Sequence, residues 1–162
     1  MINIKIDRID KQIVDLLVRD GRMSCADLAR EIGGVTERTV RYRLQRLLDE
    51  KIISVCAVVD PASLGFPVIA DVFIEVEPGQ VREVANRLAQ YEMVTYVACS
   101  TGARDISIQL AARDNQSLYT FVTEVVGRIP GVRRTTTSIV PLVIKDDARW
   151  QIPDSLVKDS AS

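Results

Sequence analysis

The 162-residue sequence has no histidine. Imidazole bases, Ser–His–Asp triads and His-ligated zinc sites are therefore excluded. Cysteine is scarce. Cys25, Cys56 and Cys99 are odd in number and widely spaced, without a CxxC. They read as reduced residues rather than a disulfide or metal framework, and neither metal nor cofactor is expected. No GxSxG, Walker-type or GxGxxG glycine pattern occurs. An enzyme would have to work with carboxylates, Lys, Arg or Tyr. No apolar run approaches the roughly 18 residues of a membrane span, and Met1–Lys5 does not open a signal peptide, so a cytoplasmic protein without membrane partners is expected. With 47% hydrophobic and 27% charged residues, the chain has the material for a core, which excludes disorder and low complexity.

What is present is organised in two blocks. The length suits one medium domain or two small ones. In the first third, Asp7 can cap a helix carrying Ile9, Ile13, Leu16 and Leu17, with Gly21 as its stop. Ser24 and Asp27 resemble a capping box opening a short helix through Leu28 and Ile32, which Gly33-Gly34 ends. Thr36 caps a third helix to about Glu50, with Val40, Leu44, Leu47 and Leu48 on one stripe. Two helices joined by a short glycine turn match a helix-turn-helix. Ile52–Val59 is β-branched and ends at Asp60-Pro61, which predicts a wing or linker strand. From Phe66 a strand–helix–strand pattern runs twice: Phe66–Val76, Gln80–Tyr91 and Val94–Thr101, then Ile106–Ala111, Ser117–Arg128 and Val132–Pro141. This is the ferredoxin-like β-α-β-β-α-β order. The expected fold is α+β. A winged helix-turn-helix (1–51) and a linker strand (52–65) precede a ferredoxin-like domain (66–143) and a loose tail (144–162) anchored by Trp150.

Overall charge is uninformative, at 21 basic against 22 acidic residues. Local charge is not. Thr36–Arg46 carries Arg38, Arg41, Arg43 and Arg46 against Glu37 alone. With the Val40 stripe facing a core, the other side of the helix shows Arg38, Thr39, Tyr42, Gln45 and Arg46, flanked by Arg41 and Arg43. Arg can pair bidentately with guanine, Gln can read adenine, Thr can touch a thymine methyl, and Arg or Tyr can hold phosphate. A solvated face laced by i,i+4 pairs is the plainer reading, but the outward residues from Arg38 to Arg46 include no acid to form them. Double-stranded DNA is the expected partner.

Asp7-Arg8-Ile9-Asp10 leading to Leu16-Leu17, Asp20-Gly21-Arg22, Ala26-Asp27-Leu28-Ala29 and Arg38–Leu44 resemble the Lrp/AsnC family of leucine-responsive-type transcriptional regulators. Thr101-Gly102 with Asp105, and Pro130–Ser138, resemble that family's effector domain. The resemblance spans about residues 3–143. It implies a regulator that dimerises through the ferredoxin-like domain, often into higher rings, and binds a small effector, commonly an amino acid, at clefts between subunits. By position the implied effector residues are Gly102, Asp105, Ser138, Ile139 and Val140. A glycine turn can offer N–H groups to a carboxylate and Asp105 can hold an ammonium, although the same turn also reads as a simple hairpin.

Three positions depart from the family pattern: Ala103-Arg104 replaces an acidic and then an aromatic residue, Gly33-Gly34 lengthens a turn by one, and Lys51 replaces a helix-closing glycine. Arg104 is accordingly added to the effector set, with an acidic or amide side chain as the expected ligand. The alternatives are a ligand-independent DNA-architectural protein and an enzyme sharing the fold.

Overall fold

The computed structural model describes residues 6–145 and 150–158, with Lys158 described by its backbone only. Two compact units emerge, Met1–Val58 with Lys145–Ser162, and Val59–Ile144.

In the first unit, strand β1 (Ile6–Asp7) leads into α1 (Arg8–Arg19), α2 (Cys25–Ile32) and α3 (Glu37–Asp49). Each helix starts where a side chain can satisfy its free N–H groups. Asp7 Oδ1 accepts from the Ile9 and Asp10 N–H groups at 2.9 and 3.0 Å, and Asp10 Oδ2 accepts from the Asp7 N–H, completing a capping box. Ser24 Oγ and Thr36 Oγ1 cap α2 and α3 through the N–H groups of Asp27 and Thr39. Between α2 and α3, Gly33 and Gly34 both take positive φ, 70° and 69°, a pair of conformations that only glycine adopts without steric cost. Helix α3 ends in a Schellman-type turn with Lys51 at φ 55°, the Ile52 N–H reaching the Leu47 carbonyl and the Lys51 N–H the Leu48 carbonyl. The lysine thus occupies the left-handed conformation usual for glycine.

Two expectations for this unit are corrected. Ile52–Val59 forms no strand. Its β-branched residues have the propensity, but beyond the helix-closing bonds of Ile52 and Ile53 the segment finds no neighbouring strand among the described residues, and Val55, Val58 and Val59 stay exposed. Among the described residues no β-wing is therefore seen. The C-terminal segment is also not a loose tail held by Trp150, which is 62% exposed. Its anchors are Ile152, buried with Ile6, Ile13, Val14, Leu28, Val40 and Leu47, and strand β6 (Val157–Lys158), which pairs in parallel with β1. A branched aliphatic side chain fills a small helical core more readily than an indole.

The second unit holds β2 (Val68–Val76), α4 (Val81–Leu88), β3 (Val94–Cys99), β4 (Ile106–Ala112), α5 (Asn115–Thr120) and β5 (Val132–Ile139). The antiparallel sheet has the order β3-β4-β2-β5, with the one hairpin (β3–β4) and two helical crossovers that the ferredoxin-like pattern requires. Alternation along β2 buries Ala70, Val72, Ile74 and Val76 with Ile106, Ile108 and Leu110 of β4, against Val84 and Leu88 of α4 and Leu118, Phe121 and Val126. The predicted helix over Ser117–Arg128 does not stay regular. Asp114 caps it two residues earlier, and after Thr120 it loosens into a π-turn (Phe121–Val125) and a 3-10 turn (Val126–Arg128). Thr123 Oγ1 donates to the Tyr119 carbonyl at 2.8 Å, the type of back-bond that loosens a helix. Among the described residues, no helix is long and apolar enough to cross a membrane.

Candidate nucleic-acid interface and effector site

Helix α3 divides its basic residues between two tasks. Arg38 and Tyr42 are exposed, Tyr42 to 72%, and neither has an ion-pair or hydrogen-bond partner among the described residues. Thr39, half-buried, shares a hydroxyl contact with Thr36 at 2.9 Å. Arg41 pairs with Glu37 one turn earlier, and Gln45 Nε2 donates to Asp49 at 2.8 Å. The absence of i,i+4 pairs on this face is thereby corrected, since the acids stand just outside the Arg38–Arg46 window.

Arg43 and Arg46 turn toward α1. Arg43 Nη1 lies 2.5 Å from Asp7 Oδ2 and 3.0 Å from Asp10 Oδ1, and Arg46 Nη2 lies 2.6 Å from Asp10 Oδ2. Asp10 is fully buried. Desolvation pushes the Asp7 carboxyl up, but the Asp10 N–H and the Arg43 guanidinium outweigh it and hold Asp7 below the usual carboxylate range. Desolvation likewise lowers Arg43, and its bonds to Asp7 and Asp10 more than reverse this. The surface left open by the N-terminal half of α3 is therefore Arg38, Tyr42 and part of Thr39, with Arg41 held only by an exposed pair.

The effector residues fall into two groups. Gly102 and Arg104 belong to the β3–β4 turn, and Asp105 closes it. The Asp105 carbonyl accepts from the Ser100 N–H at 2.8 Å, its N–H donates to the Ile74 carbonyl, and its Oδ2 accepts from the Val76 N–H at 2.8 Å. Asp105 thus fastens this hairpin to the end of β2. Arg104 stacks its guanidinium over the Phe73 ring, 4.2 Å from the centroid. Ser138 and Ile139 sit opposite Asp71 and Ala70 in β5, and the Val140 N–H donates to the Ile69 carbonyl. From Val76, where the Asp105 carboxylate is bound, to Asp71 and Ile69 is roughly 17–24 Å at ~3.4 Å per residue. One chain does not bring Asp105 and Ser138–Val140 onto a single amino-acid-sized ligand.

Residues 6–48 match the AsnC-type helix-turn-helix domain, and residues 69–150 match the Lrp/AsnC ligand binding domain. The chain belongs to the Lrp/AsnC family. It is a transcriptional regulator that joins a DNA-binding helix-turn-helix to the family's ligand-binding domain. An HTH-type transcriptional regulator of Pyrococcus abyssi is 40% identical over 88% of this chain and 90% of its own length. The HTH-type transcriptional regulator FL11 of Pyrococcus furiosus is 34% identical over 87% and 93%. These Lrp/AsnC relatives are named as regulators, not enzymes. The same fold recurs in AsnC of E. coli, with a TM-score of 0.80 at 23% identity over 90% of this chain and 99% of that one. It recurs also in a transcriptional regulator of Neisseria meningitidis solved with L-Met, with a TM-score of 0.84 at 22% identity over 94% and 100%.

Within this Lrp/AsnC chain, sequence reasoning missed Asp7 and Asp10 as partners of α3 and Phe73 as the platform for Arg104. A signal for Asp10 was present. It is followed three, four and seven residues later by Ile13, Val14 and Leu17, so an acid stands on the apolar stripe of α1.

Proposed function

We propose that this regulator reads DNA with Arg38, Thr39 and Tyr42 of α3, assisted by Arg41, and answers to an amino acid bound between two chains. The observation that carries the reading is the outer face of α3, where exposed Arg38 and Tyr42 have no partner among the described residues, whereas Arg41, Arg43 and Arg46 are paired. In a helix-turn-helix, this N-terminal part of the second helix enters the major groove. Arg38→Ala and Tyr42→Ala are each expected to weaken specific binding by about 1–3 kcal/mol per base contact. Footprints on a selected operator that match the parent for both variants would overturn it.

The sheet supports assembly into a dimer. Its helix-free face carries Phe73, Asp71, Gln109 and Tyr96 in adjoining registers, with Asp71 and Gln109 hydrogen-bonded at 3.1 Å and Tyr96 52% exposed. An aromatic-bearing sheet face is suited to a second copy, and a two-fold dimer matches a pseudo-palindromic site. Light scattering is expected to give at least a dimer, and a mass of 18.0 kDa at micromolar concentration would refute this.

A second chain also lets the Gly102–Asp105 turn of one copy meet Ser138–Val140 of another. The L-Met bound to the similarly folded N. meningitidis regulator supports an amino acid as the ligand class. Arg104, stacked through its face, keeps its in-plane N–H donors for a second acid group. Calorimetric titration is expected to rank aspartate, glutamate or glutamine above leucine. Unchanged affinity in Asp105→Asn would remove the site.

A further inference from the structure

Helix α3 carries four arginines, and two of them, Arg43 and Arg46, are neutralised on the side turned toward α1. The acid responsible, Asp10, is the one charged residue buried among the described residues. Its two oxygens are divided. Oδ1 takes Arg43, and Oδ2 takes Arg46 and the Asp7 N–H. Asp7 adds a second carboxylate to Arg43 at 2.5 Å. Capping α1 needs only an acceptor at this position, which a neutral amide supplies as well. The negative charge of Asp10 is matched to the guanidinium groups instead. Arg46 has no competing anchor, because its buried Nε has no hydrogen-bond partner. The Glu37–Arg41 pair differs. It is exposed on both sides, so solvent and salt screen it, and a phosphate can take the arginine over.

We propose that Asp7 and Asp10 are specificity-determining positioning residues. They withhold Arg43 and Arg46 from the phosphate backbone and fix α3 so that Arg38 and Tyr42 lead into the groove. Phosphate contacts carry no sequence information, and each added one strengthens binding to every duplex alike. A reading helix with four free arginines would therefore bind DNA more tightly and select less. Pairing two of them inside the protein lowers the sequence-independent term while leaving the base-reading edge exposed. The inference rests on α3 being the DNA-facing helix.

The test uses the full chain and a labelled duplex of unrelated sequence, titrated by fluorescence anisotropy across a range of KCl. Asp10→Asn keeps the cap acceptor and removes the charge. It is expected to tighten non-specific binding and to steepen the fall of log K with log[KCl] by about 1–2 per bound subunit, since each new phosphate contact adds ~0.9. The double variant Asp10→Asn/Arg46→Gln should fall between Asp10→Asn and the parent, because one released cation is gone. A purely structural role would weaken binding without steepening the slope. A parental or shallower slope in a folded Asp10→Asn overturns the proposal. Should Asp10→Asn not fold, the half-buried Asp7→Asn leaves Arg43 on Asp10 alone, at 3.0 Å, and a slope steeper by up to about 1 is expected. An unchanged slope there also overturns it. Arg38→Ala separates the two readings. If it leaves affinity for a selected operator unchanged, the DNA-facing assignment of α3 fails. If it weakens operator binding while Asp10→Asn leaves the slope at the parental value, only the withholding role fails.

Discussion

Among the described residues, the core of the helical unit buries seven apolar residues, whereas that of the sheet unit buries sixteen. The helical unit also contains the buried Asp10, while the sheet unit places its charged residues outside its core. Small units bury a smaller fraction of their surface and have less stability to lose. The helical unit compensates in two ways. It ties α1 to α3 with charge-assisted hydrogen bonds, and it recruits Ile152 and β6 from the far end of the chain. The comparison teaches that the DNA-facing unit depends on a few specific interactions, whereas the sheet unit is held by distributed apolar packing.

The largest expected effect tests that difference directly. Leu47→Ala and Leu110→Ala each remove a fully buried leucine, one from each unit, at a cost of about 2–5 kcal/mol. Calorimetry is expected to show the helical unit melting earlier in the first variant, and only the sheet unit weakened in the second. A single transition shifted equally by both would break the comparison. Ile152→Ala should cost the helical unit about 2 kcal/mol, near the lower end of that range, because the side chain retains 8% exposure. Urea melts followed by helical circular dichroism would detect it, and a parental midpoint would show that the returning segment adds nothing to the core.

Next in size is Asp7→Ala, at about 1–2 kcal/mol for the lost cap. The Asp7 pKa lies lower in the folded chain, so its contribution is complete above the ordinary carboxylate pKa of ~3.9. It disappears as pH falls through the lower folded value. The stability gap between parent and variant should therefore close in strong acid, and a gap independent of pH would assign the effect to packing. The smallest effect is a gain. Lys51→Gly relieves a left-handed lysine and should stabilise the helical unit by about 0.5–1 kcal/mol, seen as a raised melting temperature.

Most of the fold was legible because its signals are local. Asp7, Ser24 and Thr36 announce the helix starts, and the period-two pattern in Val68–Val76 announces a strand with one buried face. What was not legible depends on partners remote in sequence. Asp10 meets Arg43 across 33 residues, outside any i,i+4 rule, so the basic face of α3 looked more available than it is. Ile52–Val59 has strand propensity, but a strand also requires a neighbour. Ser138–Val140 and Asp105 look like one site when the motifs are aligned along the sequence, yet the antiparallel register sets them well apart on β2. The outer half of α3 is legible from residue type alone as far as exposure goes: Arg38, Arg41, Tyr42 and Gln45 are exposed, while Thr39, Arg43 and Arg46 are partly buried.

The parallel pairing of β1 with β6 has a consequence for the order in which the protein matures. During synthesis, Ile6 and the three helices leave the ribosome long before Ile152 and Val157, with all of Val59–Ile144 made in between. Domains usually fold in the order they emerge, and the entropy lost in closing so long a loop grows only slowly with its length. Here the earlier-made helical unit is completed after the later-made sheet unit has been synthesised. Full protection of α1 from protease on stalled nascent chains is therefore expected only once residue 158 has emerged. This topology ties completion of the helix-turn-helix unit to prior synthesis of the ligand-binding domain.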